Sequence, residues 1–414
     1  MTKRRVVITG LGVVTPLGDI LDTFWGRLLD GKCGIRTLTR FDVSSFPVRI
    51  GGEISPEDFH YEDIIGHKEA KRLDRFALYG MAAGIRSVLD SGIDFSTLDR
   101  DRCGVIVGSG IGGIEEMEQQ YDKMLAKGVG RVSPFTVPRL MVNAAAGNLS
   151  IQFGLSGPVS ATATACATSG NAIADAFHSI TFGEADVMLA GGAEAAMTKL
   201  GMAAFCALRA LSTRNDAPEK ASRPFSKDRD GFVMSEGAGV VVLEEYELAK
   251  KRGARIYGEI LACGATGDAC HITAPDENGT GAAKAMNKAL AEARINPDQV
   301  HYINAHGTST ELGDLAETRA VHKTFGSAAK KVPVSSTKGA LGHSLGASGG
   351  IELAIACLAM HRGMLPPTIN YDEPDPLCDL DYVPNHARKA KVQYAMSNSF
   401  GFGGHNTSIL IGKV

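Results

Sequence analysis

Val240-Val241-Val242-Leu243-Glu244-Glu245-Tyr246-Glu247-Leu248-Ala249-Lys250-Lys251-Arg252-Gly253-Ala254-Arg255-Ile256-Tyr257-Gly258-Glu259-Ile260-Leu261 is where the chain starts its pattern over again. A β-branched run is followed by a basic, helical-looking stretch, Leu248 to Arg252, then by glycine and a second strand-like run. Upstream, short β-branched runs at Val6 to Ile8, Val105 to Val107 and Val187 to Leu189 alternate with longer Ala-rich segments. Downstream, strand-like runs return at Val300 to Ile303, Val332 to Val334, Val392 to Met396 and Ser408 to Ile411. Alternation of this kind marks an α/β protein. The restart implies two similar halves, 1–253 and 254–414, although the halves share little sequence.

The chain has 414 residues, too many for one ordinary core, so two domains or one large composite are expected. Apolar residues make up 44% and charged residues 21%, the usage of a soluble globular protein. A formal net charge of -3 gives no global field for nucleic acid or an anionic membrane, so a charged partner must use a local patch. The 8 cysteines lie without short paired spacings, which favours reduced thiols. Lys3-Arg4-Arg5 before Val6-Val7-Ile8 imitates a signal peptide, but Gly10, Gly12 and Pro16 suit a first strand with a glycine turn. No run approaches the roughly 18 apolar residues of a membrane span. A cytoplasmic protein is the expectation.

Leu140 to Ala174 carries no charged residue yet is too rich in Asn, Ser, Thr, Gly and Pro to span a membrane. It reads equally as an active-site wall with a subunit interface or as the packed core of one monomer.

Within it lies Thr162-Ala163-Thr164-Ala165-Cys166-Ala167-Thr168-Ser169-Gly170, followed by helical spacing of Ile173, Phe177 and Ile180. A strand that delivers Cys166 to a helix start would favour its thiolate and supply N–H groups for an oxyanion. A cysteine among small apolar residues is more often an inert core residue, so its partners decide. His306, in Asn304-Ala305-His306-Gly307-Thr308-Ser309-Thr310, follows a strand-like run, as do Lys338 and His343 in Ser335-Ser336-Thr337-Lys338-Gly339-Ala340-Leu341-Gly342-His343. Strand ends face the crevice where α/β proteins bind ligands. Each group alone is more often a cap or surface residue. Together they point to a nucleophile with acid–base partners.

These motifs resemble the β-ketoacyl-acyl-carrier-protein synthases of the thiolase superfamily, type II, over nearly the whole chain. Val6-Val7-Ile8-Thr9-Gly10-Leu11-Gly12, Ala210-Leu211-Ser212-Thr213-Arg214-Asn215, Arg229-Asp230-Gly231-Phe232 and Asn398-Ser399-Phe400-Gly401-Phe402-Gly403-Gly404 carry the likeness further. Thiolases use a second cysteine, and initiating synthases an asparagine, where this chain has His343. Glu311 and His405 stand where many relatives have proline and threonine. The resemblance implies a thiolase-like, five-layered α/β/α/β/α fold of two related halves, working as a homodimer with Ile111 and Leu140 to Phe153 at the interface. It implies decarboxylative condensation of malonyl-carrier protein with an acyl chain on Cys166, in fatty-acid elongation or a related polyketide-like or unusual-lipid pathway. His306 and His343 would stabilise the enolate, Lys338 would supply charge and Glu352 would anchor it. Phe402 would share the oxyanion hole. Ile111, Thr273, Thr308, Thr310 and Phe400 would bind substrate, Thr308 and Thr310 holding the pantetheine arm. No cofactor and no metal is implied.

Acyl carrier protein is the implied partner. Lys68, Lys71, Arg72 and Arg75 read as one helical face, with Leu73, Phe76 and Leu78 on a buried opposite side, and the carrier is acidic. Two other motifs suggest different classes. Gly108-Ser109-Gly110-Ile111-Gly112-Gly113 matches a dinucleotide fingerprint but lacks the acidic residue about 20 positions on. Gly342-His343-Ser344-Leu345-Gly346 imitates a serine-hydrolase elbow with Asp375 and His386 downstream, yet the strand ends too early for one.

Overall fold

A computed structural model describes residues 3–56 and 59–414. Its main sheet has ten strands: β1 (Val6–Val14), β2 (Cys103–Gly108), β3 (Val159–Ser160), β4 (Val187–Glu194), β5 (Gly237–Glu245), β6 (Gly258–Gly267), β7 (Tyr302–Asn304), β8 (Val334–Ser335), β9 (Tyr394–Gly401) and β10 (His405–Gly412). Their order is β8-β7-β9-β10-β6-β1-β5-β4-β2-β3. The first five strands run 3-2-4-5-1 across the sheet, and the last five, counted from β6, run in the same order with the same parallel and antiparallel senses. The duplication that the pattern implied is therefore topological. The two half-sheets join where Val6, Val7 and Ile8 of β1 pair with Ile260, Glu259 and Gly258 of β6.

The helices that matter are α1 (Arg75–Ser91), α2 (Ile114–Lys127), α3 (Ala144–Phe153), α4 (Thr168–Thr181), α5 (Thr280–Ala293), α6 (Glu311–Phe325) and α7 (Ser348–Arg362). α1 and α3 cover one half-sheet, α5 and α6 the other, and α4 and α7 lie between them, which makes five layers. Glycine sets the outer spacing in the same way in both halves. A Cβ on Gly12 would lie 1.9 Å from the carbonyl oxygen of Ala83, and one on Gly264 would lie 1.9 Å from that of Ala285. The central core mixes both halves, with Ile173 and Phe177 of α4 buried among Leu353, Ile355 and Leu358 of α7. Side chains excluded from water on both sides of each half-sheet hold the site between them.

Several expectations shift. The run at Val300 begins in a turn, Pro297–Gln299, so its strand starts at Tyr302. β9 and β10 run longer than their apolar runs because buried polar residues continue the ladder, Ser408 donating to Asn398 at 2.8 Å. The uncharged stretch is not all core: Met141, Ile151 and Val159 are 41%, 81% and 43% exposed. The single basic helical face is corrected too. Asp74 caps α1, accepting from Phe76 and Glu116 N–H groups at 3.1 and 2.9 Å, and breaks the helix there. Lys68, Lys71 and Arg72 are exposed before the break, whereas Arg75 turns inward to pair with Glu236 at 3.1 Å. Among the described residues no helix is long and apolar enough to cross a membrane.

Candidate active site

Cys166 lies on a sharp elbow. β3 ends at Ser160, Ala165 takes a left-handed φ of +49°, and a single 3-10 turn, Ala165–Ala167, leads into α4. Thr168 locks the elbow, donating to the Ala165 carbonyl at 2.7 Å and accepting from Thr164 N–H at 2.9 Å. Gly401 backs it, since a Cβ there would stand 3.0 Å from the amide nitrogens of both Cys166 and Ala167. The N–H groups of Phe402 and of Cys166 itself face the sulfur.

The expectation that the helix start holds a thiolate is corrected. Burial pushes the Cys166 thiol up to about 12, against an ordinary 9.0, although the Lys338 charge and the two N–H groups pull it back. A helix terminus contributes roughly 0.3–1 kcal/mol at an exposed site, too little to offset full desolvation. The resting group is a thiol and needs an acceptor. His343 Nε2 lies 3.0 Å from its sulfur, and on the far side of the ring Nδ1 lies 3.1 Å from Ser348 Oγ.

The two histidines reach the cavity by different routes. His306 follows β7 by two residues, and its N–H and that of Gly307 donate to Glu317 of α6 at 2.9 and 2.7 Å. His343 stands eight residues beyond β8 and is fixed from the other half of the chain. Its N–H donates to the Val233 carbonyl at 2.7 Å, and its carbonyl accepts from Ser235 at 3.0 Å. The ring centroids are 5.2 Å apart and nearly perpendicular. Burial, then the Lys338 charge, holds both rings well below the ordinary 6.5, and His343 lowers His306 further. Both are neutral imidazoles, each with one N–H to offer. Lys338 is buried and pairs with Glu352, whose carboxyl burial pushes up to about 7 against that pairing.

Cys166, His306 and His343 line one cavity of about 510 Å³. Phe402, Phe400, Ile111, Thr273, Thr308 and Thr310 line it as well, while Lys338 and Glu352 stand behind the wall. Thr308 and Thr310 hydroxyls are 3.0 Å apart, and Thr310 also caps α6 through Gly313 N–H at 3.2 Å. Sequence reasoning missed Glu317, Glu194, Ser348 and Phe232, whose ring lies 5.4 Å from that of His343. The dinucleotide-like loop already holds an anion of its own. Glu194 accepts from Ser109 Oγ at 2.7 Å and from the Gly110 and Ile111 N–H groups at 2.8 and 3.2 Å. The hydrolase-like elbow has no triad: Asp375 pairs with Arg229 at 2.7 Å, and His386 is exposed. Among the described residues no group of three or more His, Cys, Asp or Glu side chains could hold a metal ion.

Two family models match, the β-ketoacyl synthase N-terminal domain over residues 3–249 and the β-ketoacyl synthase C-terminal domain over 257–372. The chain is 49% identical to 3-oxoacyl-[acyl-carrier-protein] synthase 2 of Vibrio harveyi, covering 100% of both proteins. It is also 49% identical to the enzyme of that name from Staphylococcus aureus, covering 99% of each. A β-ketoacyl synthase from Burkholderia phymatum superposes with a TM-score of 0.92 at 37% identity, covering 99% of this chain and 100% of that one. A type II polyketide ketosynthase solved with its acyl-carrier protein superposes with a TM-score of 0.92 at 34% identity, covering 100% of each.

Proposed function

This chain belongs to the β-ketoacyl synthase family, and on that premise we propose that Cys166 carries the acyl chain while His306 and His343 stabilise the enolate. The protein is a condensing acyltransferase of fatty-acid elongation, a β-ketoacyl-acyl-carrier-protein synthase. In acyl transfer His343 Nε2 takes the Cys166 proton as the sulfur attacks the acyl thioester. The N–H groups of Cys166 and Phe402 receive the oxyanion, and the departing carrier thiolate takes the proton back. Malonyl-carrier protein then binds and loses carbon dioxide, and the electrons of the broken C–C bond become an enolate. N–H groups of His306 and His343 hydrogen-bond its oxygen. Its carbon attacks the Cys166 thioester, a C–C bond forms, the C–S bond breaks, and the departing thiolate takes a proton from His343 Nε2 that water then replaces on the ring. Lys338 lowers the cost of negative charge, Glu352 holds Lys338, Thr308 and Thr310 bind the pantetheine arm with Thr273 and Phe400 at the cavity wall, and Ile111 limits the acyl chain.

The observation that carries this reading is the convergence of a buried thiol from 1–253 and two neutral histidines from 254–414 on one cavity, with Sγ 3.0 Å from His343. We take those spans as the two related halves. Incubating Cys166→Ala with acyl-carrier protein tests it by intact-protein mass spectrometry. No acyl adduct should form, and a normal adduct on the variant would reject the assignment.

Three associations go with it. Exposed Ile111, Met117, Tyr121, Leu125, Val137 and Ile151 lie on the loop before α2, on α2 and α3, and on the short helix Thr136–Leu140 between them, an apolar surface suited to a second copy in a homodimer. Exposed Lys68, Lys71 and Arg72 suit an acidic carrier protein. A cytoplasmic location suits the carrier-linked chemistry.

A further inference from the structure

We propose that Ser348 sets the tautomer of His343 and, by turning its hydroxyl, lets one ring serve both half-reactions. This rests on the assignment of Cys166 and His343 above. The two half-reactions ask opposite things of Nε2. To take the Cys166 proton it must be an acceptor, so the ring's own proton sits on Nδ1. To hydrogen-bond an enolate it must carry N–H, so Nδ1 must be an acceptor. A backbone carbonyl at Nδ1 would fix the first state and a backbone N–H the second. A hydroxyl can do either.

The structure puts a hydroxyl there, and a second behind it. Ser348 Oγ lies 3.1 Å from Nδ1, and Ser344 Oγ lies 3.2 Å from Ser348 Oγ, with all three side chains buried. In the first state Nδ1–H donates to Ser348, whose proton points to Ser344. In the second Ser344 donates to Ser348, which donates to Nδ1. No heavy atom has to move. The matching residue of the other elbow shows that this use of the hydroxyl is not a general need of the fold. Thr168 also opens a central helix, but its hydroxyl is committed to the Ala165 carbonyl and the Thr164 N–H at 2.7 and 2.9 Å. At the second elbow the turn is closed by backbone alone, Ala347 N–H donating to the Ser344 carbonyl at 3.0 Å, which leaves Ser348 for the ring. His306 has no such device, since among the described residues its buried Nδ1 has no hydrogen-bonding partner.

The protons balance over the whole cycle, because on condensation the departing Cys166 thiolate takes the Nε2 proton while Nδ1 is reprotonated from water through Ser344 and Ser348, which restores the first state. In acyl transfer the sulfur gains an acyl group and its proton passes to Nε2. The carrier C–S bond breaks and the carrier thiolate takes that proton, so the ring returns neutral with Nδ1–H. While carriers exchange, water protonates Nε2 and the Nδ1 proton leaves through Ser348 and Ser344 to water, with no net gain or loss. Ser348 is thus a positioning residue that acts through His343.

The test is nitrogen NMR of the full-length enzyme with ¹⁵N-labelled histidine, free and acylated at Cys166, with His343 signals assigned by their loss in His343→Ala. The protonated nitrogen of His343 should be Nδ1 in the free enzyme and Nε2 in the acyl-enzyme. The same tautomer in both states overturns the proposal. Removing the partner of Nδ1–H should favour the Nε2–H form, so Ser348→Ala should slow single-turnover acylation about tenfold, the worth of one hydrogen bond. Carbon dioxide release from malonyl-carrier protein should stay within about threefold on that scale, and Ser348→Thr should restore acylation. Equal loss in both half-reactions with an unchanged tautomer would make Ser348 merely structural and overturn the proposal. Failure of the wild-type enzyme to acquire any adduct at Cys166 would instead reject the parent assignment, and this inference with it.

Discussion

The two elbows at the centre of the molecule are built alike and used differently. Thr164-Ala165-Cys166-Ala167-Thr168 and Ser344-Leu345-Gly346-Ala347-Ser348 each turn through a left-handed residue, Ala165 at +49° and Leu345 at +47°, into a central helix. Each faces the end of an equivalent strand. Opposite Cys166, β9 ends in Gly401, which has no side chain to fill the space beside the elbow's N–H groups. Opposite Gly346, β4 ends in Glu194, whose carboxylate accepts the Gly346 N–H at 3.1 Å. One elbow keeps the Cys166 N–H open to a substrate oxyanion, its Ala167 N–H closing the turn on the Thr164 carbonyl at 3.0 Å, and the other has the Gly346 N–H satisfied by the protein's own carboxylate. Ser169, just past the first elbow, donates to the Gly346 carbonyl and ties the two together. A duplicated frame therefore supports catalysis in one copy and rigidity in the other.

Filling the open elbow should have the largest effect. Gly401→Ala would press a methyl within 3.0 Å of the Cys166 and Ala167 amides, displacing the nucleophile. The amides need give by only a few tenths of an ångström, so acylation in single turnover should fall by more than about tenfold, part of the roughly hundredfold that a misplacement of about 1 Å costs, while the thermal midpoint changes little. Near-normal acylation would show that the donors beside Gly401 do not matter. Disturbing the closed elbow should act on stability instead. Glu194→Gln turns an amide donor toward three backbone N–H groups and a hydroxyl that already accepts from Gly112, and should cost about 1–3 kcal/mol in urea unfolding. Unchanged stability would contradict its bracing role.

A smaller effect is expected away from both elbows. Reversing the charges of Lys68, Lys71 and Arg72 should raise the KM for acyl-carrier protein about tenfold and leave that for a free pantetheine thioester nearly unchanged. Equal changes for the two substrates would rule out docking there. Arg75 belongs outside this set, because its guanidinium is buried against Glu236.

The difference between the elbows also marks what the sequence made legible. Cys166, His306 and His343 stand out as a set of motifs flanked by small residues, although each alone reads as a core, cap or surface residue. Glu317 and Glu194 do not, since they meet their partners from another helix and from the far end of another strand, and nothing local distinguishes them from surface acids. Ser348 looks like an ordinary helix opener until the fold turns it to Nδ1. The thiolate expectation failed for a related reason: the helix start is visible in sequence, but the burial that outweighs it comes from residues of both halves. The basic face failed because Asp74 is satisfied as a cap by Phe76 and by Glu116, a residue 42 positions away. Exposed apolar residues in the uncharged stretch could not be told from core, since both read as apolar until a fold exists.

The two neutral histidines share duty toward the enolate and differ in duty toward the thiol. The direct measurement pairs single-turnover acylation with release of isotope-labelled carbon dioxide from malonyl-carrier protein in His306→Ala and His343→Ala. Both variants should lose carbon dioxide release by about two orders of magnitude, the scale of a lost oxyanion donor. Acylation should stay near normal in His306→Ala and slow in His343→Ala, whose ring lies 3.0 Å from the sulfur. If both variants acylate poorly yet release carbon dioxide normally, the histidines serve only the cysteine and the enolate role assigned to them is wrong.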